Sequence, residues 1–300
     1  MTVRTKAESY LLATTLIWGG TFVAMKIGLE DMSAMLLIAI RFGIAAVLLL
    51  LIFSRKIFPV PSSAVLKGGV LGFLLFLGFV AQTVGLNYTT ASKSAFITSM
   101  MVVFTPLFQL IIERRAPTLG NILGVLVVCI GLWLLTSPTG SVFNMGDALT
   151  LGCAVMFGLY LVYLDIVSKE FSALQLTFLQ VATCAVLAWS IVGATGSSDL
   201  TFSGESLTAL AYLTLLATLV TTLVQTRYQK DTTPTRAAVI FSVEPVLAAI
   251  YAYFLLNERI GEAGVLGGGL IVVGILISEI SDSVPGLRKA IVGPAGRIAG

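Results

Sequence analysis

The chain has 300 residues, a formal net charge of +3, and 57% hydrophobic against only 11% charged residues. Water-soluble domains are about 45–50% apolar and about 25% charged, so a soluble fold is excluded and the solvent must be lipid. The small, scattered positive charge excludes a basic nucleic-acid surface, and the absence of histidine removes the commonest metal ligand and general base.

A spanning helix needs about 20 mostly apolar residues. Apolar runs fall at 9–27, 34–53, 65–88, 91–112, 117–136, 147–168, 172–194, 206–228, 235–256 and 261–280, which predicts an all-α integral membrane protein of about ten transmembrane helices. Backbone groups find no water in hydrocarbon, so helices are the open-chain solution, and the runs lack the alternation of barrel strands. The first run holds Trp18 and continues to Lys26 without a small-residue cleavage site, so it reads as a helix rather than a signal peptide. Charged or proline-bearing breaks separate most runs: Glu30-Asp31, Arg55-Lys56 with Pro59 and Pro61, Glu113-Arg114-Arg115, Ser137-Pro138, Lys169-Glu170, Lys230-Asp231 and Glu258-Arg259. Between 87 and 94 only Lys93 is charged, and a tight turn is required because one 48-residue helix is implausible. Cys129, Cys153 and Cys184 each stand alone inside an apolar run and read as small buried hydrophobes.

Lysine and arginine in short loops set orientation. With the N-terminus inside, the cytoplasmic segments carry fourteen of them and the opposite side three (Lys26, Lys93 and Arg259), so both termini are expected in the cytoplasm. The two halves also match. Gln82-Thr83, Thr89-Thr90 and Lys93 correspond to Gln225-Thr226, Thr232-Thr233 and Arg236 at an offset of 143, and Glu113-Arg114 corresponds to Glu258-Arg259 at 145. Gly124 and Gly131 correspond to Gly267 and Gly274. Five helices per half is an odd number, so the second copy is expected inverted. The expected units are residues 1–137, residues 138–283 and a basic cytoplasmic tail, 284–300. Inverted repeats are the architecture of secondary transporters, with substrate held near the midplane between the halves.

Ionisable residues at membrane depth cost about 2.5–3.5 kcal/mol on insertion scales and mark function by default. Two qualify: Arg41, about two turns into the second run, and Glu244, near the middle of the ninth. Pro245 follows Glu244 and predicts a kink there. The alternative is that Arg41 and Glu244 form a buried structural pair. Uncharged candidates for the same binding site are Trp18, Thr21, Gln82, Tyr160, Tyr163, Gln180 and Gln225, which would supply aromatic walls with amide and hydroxyl groups. Phe157-Gly158 matches Trp18-Gly19, and Gln180 matches Arg41. GxxxG spacings at Gly120/Gly124, Gly264/Gly268 and Gly68/Gly72 let helices approach closely, within one chain or between two copies of a homodimer. Ser92 stands where a P-loop needs glycine before Lys93-Ser94, so no nucleotide site is expected; nor is a metal, a cofactor or an enzymatic acid–base constellation.

The Trp18-Gly19-Gly20-Thr21 turn, Arg41-Phe42, Glu244-Pro245 and the two Glu-Arg-plus-glycine-helix endings resemble the EamA-type branch of the drug/metabolite transporter superfamily over residues 9–280. The resemblance implies a 5+5 inverted-repeat carrier of amino acids or other small metabolites, often an exporter of a bacterial inner membrane. The first half departs from the pattern: Met100 stands opposite Pro245 and its proline comes later, at Pro106. Pro106 and Pro245 are the candidate hinges. A channel-like facilitator and a membrane enzyme acting on lipid-linked substrates are the alternatives. The first would need a continuous polar stripe, and the second an acid–base or metal cluster near one interface.

Overall fold

The computed structural model describes residues 2–136, 144–196, 201, 203–257 and 262–280. The expectations on Ser137-Pro138, on Glu258-Arg259 and on the basic tail lie outside the described residues. All the described regular elements are helical. The first apolar run becomes α1 (Val3–Gly19) and α2 (Thr21–Asp31), which meet at Gly20 and together form a span from Val3 to Asp31. Continuous spans follow in α3 (Ala34–Ile57) and α4 (Ser62–Gly85). The next span, Ala91–Glu113, is again in two pieces, α5 (Ala91–Ser99) and α6 (Met101–Glu113). After α7 (Leu119–Thr136) come the continuous α8 (Met145–Ser168) and α9 (Ala173–Thr195). The span Gly204–Asp231 changes its winding: α10 (Gly204–Ala211), a π-helical stretch over Tyr212–Val220, α11 (Thr221–Tyr228) and a final 3₁₀ turn. Pro234–Leu256 is broken into α12 (Pro234–Phe241) and α13 (Glu244–Leu256), and α14 (Glu262–Ile280) ends the described chain.

Eight of these segments are long and apolar enough to cross a bilayer, and α7 and α14 contribute two shorter apolar stretches, Leu119–Gly131 and Val265–Ser278. Their outward side chains are apolar: Leu51 is 75% exposed, Phe254 73%, and Leu66 and Ile111 72% each. In water that surface would drive aggregation; in hydrocarbon it is the solvated face. Polar side chains point inward instead, with Arg41, Gln82, Gln180, Gln225 and, among the described residues, sixteen threonines buried among the helices. The tight turn expected around Asn87 is present, with α4 ending at Gly85 and Thr90 capping α5 through the Lys93 amide at 3.2 Å.

Helices α7 and α14 form an antiparallel pair within the one chain. A Cβ built on Gly124 would lie 2.7 Å from the Gly274 carbonyl oxygen, and one on Gly131 would lie 2.7 Å from that of Gly267. The contact glycines are therefore the seven-residue pairs, one on each helix, whereas Gly268 meets nothing closer than Val246 at 3.6 Å. A real side chain at Gly131 must push two backbones apart. Gly131→Leu is expected to cost about 3 kcal/mol, read as a fall in thermal unfolding temperature in detergent. Gly269→Leu, at a site with nothing within 4 Å, is expected to leave that temperature unchanged. Equal melting of both variants would show that the seam is not close-packed.

Pro245 does not kink a continuous helix. The chain turns at Ser242 and Val243, and Pro245 stands in the first turn of α13, where its missing N–H costs no hydrogen bond. Pro106 lies inside α6, six residues past the break at Met100, and lines a separate apolar crevice with Leu107, Leu110 and Val125.

Candidate functional site

The interrupted helices converge on one interior cavity. Its volume is about 60 Å³. At about 10–15 Å³ per water, that is room for about four to six waters. Its walls are apolar and aromatic, built from Leu75, Phe79, Met101, Phe157, Leu161 and Phe241. Into them project Trp18, Thr21, Arg41, Gln82, Thr98, Tyr160, Gln225 and Glu244.

The breaks explain how these groups reach the cavity. At Gly20 the chain leaves α1 so sharply that the Ile17 carbonyl accepts from the Gly20 amide (3.2 Å) and also from the Tyr212 hydroxyl. A Cβ on Gly20 would fall 2.6 Å from that hydroxyl, so any larger residue must displace the Tyr212 ring tip from the Ile17 carbonyl. Trp18 is thereby held at the cavity edge, its indole N–H donating to Thr221 Oγ1 at 3.0 Å and its ring edge-on to Phe241 with centroids 5.0 Å apart. The π-helical stretch serves Arg41. Its extra residue per turn lets Thr218 Oγ1 bond the Leu213 carbonyl and accept from Arg41 Nε, while Arg41 Nη2 reaches the Ala217 carbonyl at 3.3 Å. The guanidinium also lies 4.6 Å from the Phe79 ring centroid and 5.3 Å from that of Phe42. These contacts fix its plane. They involve no carboxylate.

Glu244 opens α13 and is 6% exposed. Its carboxylate takes part in no hydrogen bond or ion pair among the described residues. Arg41 and Glu244 are thus not the structural pair that the sequence left open. A buried guanidinium and a buried carboxyl group line one small space without bonding to each other. A lone charge in such a place is expensive, and a ligand carrying both complementary charges would neutralise the two at once.

Seven of the nine predicted binding residues meet at this cavity. Gln180 lies one layer behind it, fully buried, accepting the Tyr160 hydroxyl at 2.7 Å and donating to Thr226 at 2.9 Å, so it orients Tyr160. Tyr163 does not reach the cavity; it is half-buried, with Lys67 and Glu170 as its charged neighbours. Gln82 donates to Thr98 at 3.2 Å, and Gln225 to Gln229 at 3.0 Å. Sequence reasoning missed Thr98, Thr218 and Thr221. Each looked like an ordinary small residue of an apolar run, and only the fold brings it to a charged or aromatic partner.

The model of the EamA-like transporter family matches the chain twice, over residues 5–137 and 144–279. An uncharacterized transporter of Archaeoglobus fulgidus is 31% identical over 277 residues, covering 92% of this chain and 87% of that protein. The uncharacterized transporter YoaV of Bacillus subtilis is 25% identical over 289 residues, covering 91% and 96%. One crystal structure superposes with a TM-score of 0.75 at 16% identity, covering 92% of this chain and 97% of that one, a likeness of fold alone. Inward polar groups, apolar outer faces, an interior cavity and these matches converge: the chain belongs to the EamA-like transporter family and is a multi-pass membrane transporter of small solutes.

Proposed function

We propose that the chain is a secondary carrier of small zwitterionic metabolites, amino acids foremost, which it exports by alternating access around the central cavity. The observation that carries this reading is the unpaired Arg41 and Glu244 on the walls of the same space. Arg41 suits a substrate carboxylate, since its planar fork is already oriented. Glu244 suits an ammonium group. Phe79, Phe157, Trp18 and Phe241 would enclose the apolar part. Export follows the resemblance to metabolite exporters. The driving force is the solute gradient, with proton exchange added if Glu244 binds a proton between loads.

The architecture we infer is ten transmembrane helices in a 5+5 inverted repeat, residues 1–137 and 138–283, in a bacterial inner membrane with both termini and the 284–300 tail in the cytoplasm. Four observations support it. The family model matches twice in succession. The breaks at Met100 and Val243 and the left-handed residues Arg114 and Asn257, both at φ 55°, each stand 143 positions apart. In that register Met101 stands opposite Glu244, and both line the cavity. The antiparallel α7/α14 seam places the last helices of the two halves in opposite directions. The cavity is lined by residues of this chain, and the glycine seam is used within it.

The test is counterflow in proteoliposomes with amino acids, sugars, nucleosides and quaternary amines at two pH values. Saturable exchange of zwitterions is the expected outcome. Preference for anionic solutes would remove the ammonium role of Glu244, and unsaturable flux would favour a channel.

A further inference from the structure

Beyond the cavity, besides the Asp165–Lys169 pair within α8 and its C-terminal turn, two ion pairs of similar construction join distant parts of the chain at opposite ends of the molecule. Lys93, in the first turn of α5, places Nζ 2.6 Å from Asp147 Oδ2, and the other Asp147 oxygen accepts from the Thr89 hydroxyl at 3.0 Å. Arg236, in the first turn of α12, places Nε 2.8 Å from Glu8 Oε1, which also accepts from the Thr232 hydroxyl at 2.9 Å. In both, the next threonine caps the helix: Thr90 accepts from the Lys93 amide at 3.2 Å and Thr233 from the Arg236 amide at 3.3 Å. The Asp147 side chain is fully enclosed, and those of Glu8 and Arg236 are 8% and 3% exposed.

The two pairs stand at the same depth from the cavity but on opposite faces. Glu8 precedes Trp18, and Asp147 precedes Phe157, by ten residues on one continuous helix each, about 15 Å of rise. Lys93 precedes Thr98, and Arg236 precedes Phe241, by five residues, and all four of those later residues line the cavity. The spans α1/α2, α3 and α4 run alternately across the membrane, so α5 begins at the face opposite the start of α1. Each pair joins the two stretches of chain that the family model matches separately: Lys93 of the first to Asp147 of the second, and Glu8 of the first to Arg236 of the second.

We propose that Lys93–Asp147 and Glu8–Arg236 are the two latches of the transport cycle, one per face, and that the conformation seen here is the occluded one in which both are closed. The proposal rests on the alternating-access reading. A closed latch keeps water from one end of the cavity. Opening that end admits water, which solvates both released charges, so the pair has a closed dry state and an open wet state with little between. The latches differ in their anchorage. Arg236 Nη1 also donates to the Ser278 carbonyl at 3.1 Å, and the Ser278 hydroxyl contacts Asn121 Oδ1 at 3.1 Å, which ties that latch to the α14/α7 seam. The Asp147 latch is tied instead through Asn144, whose amide donates to Asp147 and whose side chain donates to the Tyr88 carbonyl at 3.0 Å.

The experiment reads sidedness rather than transport. Cys129, Cys153 and Cys184 are replaced by alanine and Met101→Cys provides one thiol in the cavity wall. A membrane-impermeant maleimide is then applied to right-side-out and inside-out vesicles of the full chain. Asp147→Asn is expected to speed labelling at least tenfold from the face where α5 begins and not from the other. Glu8→Gln is expected to do the mirror image. Lys93→Met, which leaves the Asp147 bonds to Thr89 and Asn144 in place, is expected to speed labelling from that same face only, which a merely unfolded variant could not do. Unchanged labelling, or equal acceleration from both faces, overturns the latches. Rapid labelling of the parent from both faces instead overturns alternating access itself, a distinct result.

Discussion

Glu244→Gln is expected to reduce transport efficiency by about 10- to 100-fold while leaving the protein folded. A hydrogen bond to a charged group contributes about 1.5–3 kcal/mol, and each 1.4 kcal/mol is a factor of ten. Glutamine keeps the size and one carbonyl of the side chain but cannot carry the negative charge. The folded protein does not need that charge: the carboxylate has no ion-pair partner among the described residues and is 6% exposed. A buried carboxyl group without a partner carries a desolvation cost that the amide does not increase, so the variant's thermal unfolding temperature should equal that of the parent within about 1 kcal/mol of stability. Function lost with stability kept is the signature of a substrate contact. A structural role predicts the reverse, a lower unfolding temperature with residual transport in the surviving fraction. Wild-type exchange of zwitterions by a correctly inserted variant would remove Glu244 from the site.

The membrane class and the limits of the spans were legible in the sequence because bilayer thickness dictates them. The run at 34–53 became Ala34–Ile57, and that at 172–194 became Ala173–Thr195. Arg41 and Glu244 were legible for the same reason in reverse: a charge inside an apolar run is costly enough to demand a purpose. The helix breaks were less visible. Pro245 announced one of them and placed it slightly late, while the break at Met100 has no proline at all; it occurs where α5 turns Thr98 and α6 turns Met101 toward the same space. Tyr160 and Tyr163 are three residues apart and share a helix face in sequence terms. Gln180 holds the first at the cavity, and packing carries the second outward. Glu8, Lys93, Asp147 and Arg236 stand at the ends of apolar runs, where solvated charges are ordinary. Their burial depends on partners 54 and 228 positions away in sequence, which no local pattern encodes.

Arg41→Gln is expected to abolish discrimination between zwitterionic substrates and the corresponding amines that lack a carboxylate. In the parent the guanidinium is held by Thr218, the Ala217 carbonyl and the Phe79 face, so its remaining donors are directed before substrate arrives. Losing that charge-assisted contact costs about 1.5–3 kcal/mol for a carboxylate-bearing substrate, a rise in KM of about 10- to 100-fold, and costs nothing for an amine. The ratio of the two efficiencies is the informative quantity. Arg41 also ties α3 to the π-helical stretch, and a purely structural loss would lower both rates together and leave the ratio unchanged. Arg41→Lys separates charge from geometry. A lysine keeps the positive charge but cannot bridge Thr218 and the Ala217 carbonyl while presenting a planar fork, so it should recover part of the preference with a KM between the two. Glu244→Gln should shift the opposite ratio, zwitterion against carboxylic acid. If Arg41→Gln moved that ratio instead and left zwitterion against amine unchanged, Arg41 would not be the carboxylate contact.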